Sequence, residues 1–332
     1  MTAPTVSVFM ASYNGERFVE EAVRSVLGQT WRDLELVVVD DGSNEPTRAI
    51  LRRLAAGDAR MRLEESAHRG QIGTLNHAIS LCRGRYIARL DHDDVALPQR
   101  IERQMRYLDA HPTTIACGTN IQEIDADGRP GRRPNTDEHV LEHRPDLVPP
   151  RLMWMPGPTP MIRAEALRQV GGYRPQFRAA EDRDLCWRLG ALGPCARFGE
   201  VLVLHRVHGA NMSLLQRRTQ LFSHVLADLS AISAHAGRDD ASILARIEPG
   251  GDYLPHIAAY KTLLADVYPV ETFWLHFLVR YGAWPLAGYA RTSDIARAVA
   301  GHVAQRPYDT DRLALARRAL KYLRRDPEVA AD

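Results

Sequence analysis

The chain has 332 residues, of which 45% are hydrophobic and 25% are charged, and its formal net charge at pH 7 is +2. This composition is typical of a folded soluble protein and excludes a disordered or fibrous one. The small net charge gives no case for nucleic acid as the main partner, because nonspecific duplex binding depends on a dense excess of basic residues.

The cysteines and the hydropathy pattern indicate in which cellular compartment the protein is expected. The cysteines lie far apart, form no C-x-x-C pair and have apolar neighbours, which predicts buried thiols in a reducing compartment. The amino-terminal stretch lacks the basic start and apolar core of a secretion signal. The nearest approach to a membrane span, 273–289, is interrupted by His276, Arg280 and Pro285. We therefore expect a cytoplasmic protein without a membrane span. The cysteines are Cys82, Cys117, Cys186 and Cys195.

The beginning of the chain predicts a β-α-β unit. Val6 to Ala11 is an apolar strand, and a helix follows it with apolar residues at helical spacing from Phe18 to Leu27. Leu34 to Val39 is continuously hydrophobic, which is typical of a strand that is buried on both faces. This order of elements favours a parallel sheet.

The second strand runs into Asp40 and Asp41, and a helix is predicted from about Pro46, a residue that suits a first helical position. Taken alone, the two acids fit a turn with a helix cap. Further along, the sequence predicts a third strand at Met61 to Glu64, a helix at Gly73 to Cys82 and a fourth strand at Tyr86 to Leu90.

Three more carboxylates, Asp91, Asp93 and Asp94, follow the fourth strand, and Pro98 then opens another predicted helix. Clustered carboxylates repel one another, and a divalent cation with oxygen ligands relieves that repulsion. The alternative is an acidic turn with an N-cap. Because ligands of open α/β sheets bind outside the carboxyl ends of the strands, both acidic groups are expected to face one crevice.

Four motifs within residues 6–98 resemble those of the family 2 glycosyltransferases of GT-A fold. They read Val-Ser-Val-Phe-Met-Ala-Ser-Tyr-Asn, Ser-Val-Leu-Gly-Gln-Thr-Trp, Glu-Leu-Val-Val-Val-Asp-Asp-Gly-Ser and Leu-Asp-His-Asp-Asp-Val. The resemblance implies an α/β fold in which helices flank a doubly wound, mostly parallel central sheet. It also implies an enzyme that uses a nucleotide-sugar donor.

The resemblance places the nucleotide at the ends of the first two strands. It implies that Ala11, Tyr13 and Asp41 lie at a uracil-like ring, with Tyr13 stacking on the ring and Asp41 accepting a hydrogen bond from a ring N–H. Asn76 also fits the family pattern, and Arg69 is a candidate contact to the phosphates or the base.

The middle of the chain carries the second half of the resemblance. A strand is predicted at Ile115 to Thr119 and a turn at Asp125 to Gly128, and the Pro- and charge-rich stretch 129–150 is typical of a lid or binding loop. Glu181 and Asp182 fit the first turn of a helix, where the helix dipole favours acids. In the family this is the Glu-Asp motif whose second acid is the catalytic base, so the resemblance implies that Asp182 is the base, with Glu181 as second candidate.

Two short strands are predicted before His205 and His208. An isolated His is most often a hydrogen-bonded polar residue, which is the interpretation for His205. His208 matches the position where many relatives supply an imidazole to the metal or diphosphate. The resemblance implies that Asp93 and His208 hold Mn²⁺ or Mg²⁺, a donor set that fits these ions better than a zinc cage.

The same resemblance assigns the remaining acids of the Asp-x-Asp motif. Asp91 is expected to hold the ribose or sugar hydroxyls of the donor, and Asp94 to hold the loop. His92 replaces a smaller residue that is common at this place, and it either touches the ribose or points away.

The pattern from Leu214 onward is helical and resembles no part of the shared catalytic domain. The predicted organisation is a catalytic domain at 1–213, with a nucleotide-binding half at 1–112 and an acceptor half at 113–213, and a helical region at 214–332. Leu221–Ile232 and Leu313–Leu323 are amphipathic, and an aromatic-rich segment runs from Phe273 to Trp284. We expect these aromatic side chains to pack between the helices of this region. The alternatives are that they mediate self-association or peripheral contact with the inner membrane face.

The predicted function is transfer of a single sugar from a nucleotide-diphosphate sugar, UDP-sugar first, to a hydroxyl of a glycan or lipid-linked glycan, with inversion and a divalent cation. This is chemistry of polysaccharide biosynthesis. Two alternatives remain: a nucleotidyltransferase that makes the sugar nucleotide, and a nucleotide-sugar-binding module without catalysis. A nucleotidyltransferase of this kind needs a Gly-rich phosphate-binding loop with a basic residue directly after the first strand. The sequence at that place, Ser-Tyr-Asn-Gly-Glu, matches such a loop poorly.

Overall fold

The computed structural model describes residues 3–131, 155–209, 211, 217–248 and 254–266. The chain divides into two compact units, Met1–Gln216 and Arg217–Asp332. Several predicted features lie outside the described residues: most of the 129–150 connection, the aromatic-rich segment and the helix at Leu313–Leu323. The division into nucleotide and acceptor halves at residue 112 stays a prediction.

Eight strands form one sheet among the described residues of the first unit, in the order β3-β2-β1-β4-β7-β6-β8-β5. They are β1 (Val6–Ser12), β2 (Leu34–Asp40), β3 (Met61–Glu65), β4 (Tyr86–Arg89), β5 (Val95–Ala96), β6 (Ala116–Ile124), β7 (Met161–Arg163) and β8 (Cys195–Arg206).

The sheet has a parallel part and a mixed part. β1 pairs in parallel with β2 and β4, and β2 pairs in parallel with β3. β7 is antiparallel to both β4 and β6, β5 is antiparallel to β8, and β6 is parallel to β8. Since β1, β2 and β4 run the same way, their carboxyl ends share one edge of the sheet.

Helices connect the strands and cover the sheet. In the first unit they are α1 (Val19–Leu27), α2 (Glu45–Gly57), α3 (Gln71–Leu81), α4 (Arg100–Ala110), α5 (Ala164–Gln169) and α6 (Glu181–Gly190). The start of α2 follows from its sequence, because the Asn44 side chain accepts a hydrogen bond from the Thr47 amide at 3.1 Å and Pro46 occupies the first turn.

The core lies against the parallel strands. All seven residues of β2 are buried, as its hydrophobic residues predict. The buried Glu35 accepts from the Ser7 hydroxyl and from Arg83, both at 2.6 Å. Val8, Met10 and Leu36 are fully buried in the same cluster. The four cysteines are free and buried, and burial raises the pKa of each thiol.

The predicted α/β fold of GT-A type is confirmed, with one correction in its second half. Two short strands were expected before His205, whereas β8 is a single strand of 12 residues. It stays continuous because the pairing with β6 absorbs an irregularity between Gly118 and Ile121. The Asn120 side chain also donates to the Gly199 carbonyl at 2.8 Å.

The second unit is helical where the structure describes it, as predicted. Its helices are α7 (Arg217–His235), α8 (Ala241–Leu244) and α9 (Leu254–Leu263). The Tyr260 hydroxyl donates to Asp240 at 2.6 Å and ties α9 to the start of α8. Across the described ranges, none of the helices has the length and hydropathy needed to cross a bilayer.

Candidate active site

The carboxyl ends of β1, β2 and β4 are tied to one another by backbone contacts. The Asp41 amide donates to the Ser12 carbonyl at 2.8 Å, and the Asn14 amide donates to the Ser43 hydroxyl at 3.0 Å. His92 reaches back from the loop after β4 and lies 3.2 Å from the Ala11 carbonyl through Nδ1. These loops therefore form one continuous rim.

Asp41 organises the loop that enters α3. Its carboxylate accepts hydrogen bonds from the Arg69 amide at 2.6 Å and from the Gly70 amide at 3.1 Å, and the His68 imidazole lies 3.0 Å away. The Tyr13 ring is 48% exposed and packs at a tilt on His68, with ring centroids 4.8 Å apart. The structure thus brings Tyr13, Asp41 and the Arg69 backbone together, and the Arg69 side chain is exposed.

The neighbouring Asp40 has a structural role. It is fully buried, pairs with Arg48 at 3.0 Å and accepts from the Ser43 amide at 3.2 Å. This is the turn geometry that the sequence allowed for the acidic pair, and it applies to only one of its two members.

The three acids after β4 have three different partners. Both oxygens of Asp91 accept hydrogen bonds from one edge of the Arg89 guanidinium, from Nε at 2.7 Å and from Nη2 at 3.2 Å. Asp93 lies 3.0 Å from the Nε2 atom of His208. Asp94 is fully buried, where it accepts from the Arg206 amide at 2.8 Å and contacts His205 at 3.0 Å. Asp94 therefore fixes the loop to β8, while Asp91 and Asp93 stay at its open side.

Asp93 and His208 meet although 115 positions separate them in the chain. The His208 ring packs on Phe18 with centroids 4.9 Å apart, and its amide donates to the Asn211 side chain. Asn211 also lies 3.4 Å from the Asp93 carboxylate. The side chains of Asp93 and His208 are largely buried, with 15% and 14% of their surface exposed.

This pair fits a divalent cation. The Asp93 and His208 atoms are 3.0 Å apart and hydrogen-bond to each other. Two neighbouring ligands of an octahedral ion, each about 2.1 Å from the metal, also lie about 3 Å apart, so the same side chains could hold an ion with little movement. Among the described residues, no group of three or more His, Cys, Asp or Glu side chains forms a complete protein cage. The protein thus offers two donors, and a bound ligand or water would supply the others.

The buried contact between Asp94 and His205 is a charged pair. Burial raises the pKa of Asp94 to about 6, against the opposing effect of His205. Burial disfavours the charged form of His205, but its hydrogen bond to Asp94 and the charges of the three acids outweigh that effect and raise its pKa to about 9. At neutral pH the imidazolium therefore anchors the acidic loop to β8.

His92 faces the loop between β1 and α1. A Cβ atom at Gly15 would lie 2.5 Å from the His92 ring, so the imidazole packs directly on the glycine backbone. His92 therefore supports the rim next to Ala11.

Glu181 and Asp182 begin α6 on the other side of the loop. Glu181 accepts from the Arg89 guanidinium at 3.2 Å and from the Gln71 side-chain Nε2 at 3.4 Å. Burial and the neighbouring Asp182 raise the pKa of Glu181 to about 7, although Arg89 opposes the shift. Asp182 is partly exposed and accepts from the Arg183 amide at 2.7 Å.

Sequence reasoning missed Arg89, Arg206 and Asn211. Arg206 is buried and joins the Asp93 carbonyl at 3.0 Å to Glu21 of α1 at 2.6 Å. A signal existed for Arg89, since a charged residue inside the apolar run of β4 needs a buried partner. It stands two residues before Asp91, which puts both side chains on one face of the chain.

Comparison with known proteins follows this geometry. The family model described as "Glycosyl transferase family 2" matches residues 7–179. "Putative glycosyltransferase EpsE" of Bacillus subtilis is 34% identical over 195 residues, which are 56% of this chain and 67% of EpsE.

Solved structures share the fold. S. aureus TarS 1-349 in complex with UDP-GlcNAc superposes with a TM-score of 0.61 at 16% identity, covering 91% of this chain and 92% of that one. The mannosyltransferase PcManGT from Pyrobaculum calidifontis, in complex with GDP-Man and Mn²⁺, has a TM-score of 0.52 at 19% identity and covers 97% of this chain and 87% of its own.

Proposed function

The chain belongs to glycosyl transferase family 2, and from this we propose that it moves a single sugar from a nucleotide-diphosphate sugar to a hydroxyl of a glycan or lipid-linked glycan. A UDP-sugar is the first donor to test, and the anomeric configuration would invert. The proposal is supported by the complexes of two structural neighbours, one with UDP-GlcNAc and one with GDP-Man and Mn²⁺.

The observation that carries this proposal is the contact between Asp93 and His208. A carboxylate after β4 and an imidazole after β8 lie 3.0 Å apart at the same edge of the sheet where Tyr13 and Asp41 lie. A nucleotide at Tyr13 and Asp41 would direct its diphosphate toward this pair. The two halves of the catalytic unit then contribute to one site.

Departure of the nucleoside diphosphate is the first chemical demand on the site. Negative charge develops on the leaving oxygen as the glycosidic bond breaks, and groups placed to stabilise it lower the barrier. Asp93 and His208 would hold Mn²⁺ or Mg²⁺, and such an ion, when bound, supplies charge stabilisation at the diphosphate. Asp91, oriented by Arg89, would accept hydrogen bonds from donor hydroxyls.

Activation of the acceptor is the second demand. We assign Asp182 as the general base that takes the proton of the attacking hydroxyl, since its side chain is partly exposed at the start of α6. Attack on the side of the sugar opposite to the leaving group is a single displacement, so it inverts the anomeric carbon. Glu181 is the less suitable base, because it is buried and its Oε1 atom already accepts hydrogen bonds from Arg89 and Gln71.

Donor screening tests the proposal. UDP-sugars and GDP-sugars would be added to the full chain with MnCl₂ or with EDTA, and a donor that binds the folded protein raises the melting temperature. We expect a rise with MnCl₂ and a smaller one with EDTA. Release of UDP from the bound donor then separates an enzyme from a binding module, and NMR of the product reports its anomeric configuration.

Two outcomes would contradict the proposal. One is no stabilisation by any nucleotide sugar. The other is release of pyrophosphate from a nucleoside triphosphate and a sugar phosphate, which would indicate nucleotidyl transfer.

A further inference from the structure

Arg89 is a buried cation that joins the two sides of the proposed site. Its side chain is 4% exposed. Through Nε and Nη2 it holds both oxygens of Asp91, and through Nη1 it donates to Oε1 of Glu181 at 3.2 Å. Because Asp91 follows β4 and Glu181 begins α6, one planar group connects elements 92 positions apart in the chain.

The surroundings leave Arg89 little freedom. The Tyr173 ring lies 5.6 Å from the guanidinium carbon, and a Cβ atom at Gly157 would be 3.6 Å from it. Asn76 fixes the backbone of Tyr173 from both sides, donating to its carbonyl at 2.8 Å and accepting from its amide at 2.9 Å. The Arg89 carbonyl in turn accepts from the buried Arg100 at 2.7 Å.

The chemistry of this contact needs an arginine. Three N–H groups in a fixed plane reach two carboxyl groups at once, whereas a lysine ammonium is a point charge on a flexible stem. Without the cation, Asp91 and Glu181 would face each other in a buried space, and an unpaired buried charge is costly.

We propose that Arg89 is a positioning residue, which fixes the first turn of α6, and with it Asp182, relative to the loop that carries Asp91. It acts through Glu181 and touches no reacting atom. The consequence for turnover rests on the proposed function, whereas the anchoring of α6 does not.

Hydrogen exchange of the free, full-length protein tests the anchor without any ligand. In Arg89→Met, the amides of Asp184 to Trp187 should exchange about tenfold faster than in the wild type, while those of β2 keep their rates. Arg163→Met is the matched control: Arg163 ends β7 beside Tyr86, at the amino end of β4 and away from the site, where it donates to the Thr114 and Leu108 carbonyls. It should leave α6 exchange unchanged. Equal rates in Arg89→Met and wild type, or equal acceleration everywhere, would overturn the proposal.

A second pair of variants breaks the same contact from the other partner and covers the case in which Arg89→Met does not fold. Glu181→Gln keeps an oxygen that accepts from Arg89 and should exchange like the wild type. Glu181→Ala removes the oxygen and should accelerate exchange in α6. Wild-type exchange in Glu181→Ala would refute the anchor.

Kinetics then connect the anchor to turnover. Displacement of a catalytic group by about 1 Å costs on the order of 100-fold, so Glu181→Ala should lower kcat by roughly 10- to 100-fold with little change in donor KM. Arg89→Met combined with Glu181→Ala should lose no more kcat than Arg89→Met alone, since that variant already removes the contact with Glu181. Additive losses would contradict the anchor. Absence of transfer and of nucleotide binding in the wild type would instead contradict the proposed function, and the exchange result would still decide the anchor.

Discussion

The two predicted halves of the first unit, divided at residue 112, hold their candidate site residues in different ways. In residues 3–112, Asp41 is fixed by the amides of Arg69 and Gly70, and Tyr13 by His68, all within the same half. In residues 113–211, Glu181 and His208 are both held by partners in the first half, Arg89 and Asp93. Asp41 and Tyr13 are therefore held within their own half, whereas Glu181 and His208 take their geometry from contacts that cross between the halves.

This difference has a consequence for mutations. Changes on the nucleotide side should alter donor affinity, and changes at the crossing contacts or on α6 should alter turnover or the pH dependence of stability. The following tests are ordered by the size of the expected effect.

The largest effect is expected at Asp182. In Asp182→Asn, kcat should fall by about 10² to 10⁴, the usual contribution of a general base, while the dissociation constant of the donor stays unchanged. Steady-state kinetics and calorimetry would measure the two quantities, with the exposed Glu165→Gln as control. Wild-type turnover in Asp182→Asn would remove the assignment of the base.

The next effect concerns Asp93 and the cation. Asp93→Ala should weaken Mn²⁺-dependent binding of UDP by roughly 100-fold, since loss of even an outer partner of a metal ligand costs about 10- to 100-fold. Calorimetry with and without MnCl₂ would measure it. Asp109→Ala, on α4 where the carboxylate accepts from the Tyr86 hydroxyl at the amino end of β4, should bind like the wild type. Equal affinity of wild type and Asp93→Ala for UDP, or wild-type turnover that persists in EDTA, would contradict the proposed metal site.

A smaller effect is expected where the halves meet at the Gly171–Gly172 turn. Both residues have φ of +72°, but only at Gly172 would a Cβ atom clash, 2.6 Å from the Asn76 side chain. Gly172→Ala should lower the free energy of unfolding by about 2 to 4 kcal/mol, from backbone strain plus the disrupted hydrogen bonds of Asn76. Gly171→Ala should cost about 1 kcal/mol, from strain alone. Urea denaturation would compare them, and equal losses would contradict the predicted clash.

The smallest effect is a pH dependence at Glu181. Its pKa is raised from 4.5 to about 7 in the folded state, so between these values the folded protein holds a proton that the unfolded chain releases. Stability should therefore fall as pH rises through this window. Glu181→Gln should flatten that slope, as thermal melts from pH 4.5 to 8 would show. An identical slope in both proteins would mean that Glu181 titrates normally.

The sequence was informative about the nucleotide side for a physical reason. Strand ends follow from hydrophobic runs, and the side chains that leave β1, β2 and β4 must meet at one edge. The acids at Asp41 and Asp91 to Asp94 could therefore be placed from the order of elements alone.

The crossing contacts could not be derived in that way. Periodicity says nothing about which strand of the second half lies beside β4, so the meeting of Asp93 with His208 depended on family resemblance. Arg89 went unnoticed because its partner Glu181 is far away in the chain. Two short strands were predicted where the structure has the single strand β8, whose pairing with β6 continues past an irregularity between Gly118 and Ile121.

Pulsed electron paramagnetic resonance of Mn²⁺ bound with UDP shows directly whether Asp93 and His208 hold one cation at the diphosphate of the donor, because an imidazole ligand couples its nitrogen spin to the metal and the diphosphate couples its phosphorus. We expect both couplings in the wild type and loss of the nitrogen coupling alone in His208→Ala. Phosphorus coupling without nitrogen coupling in the wild type would contradict this expectation.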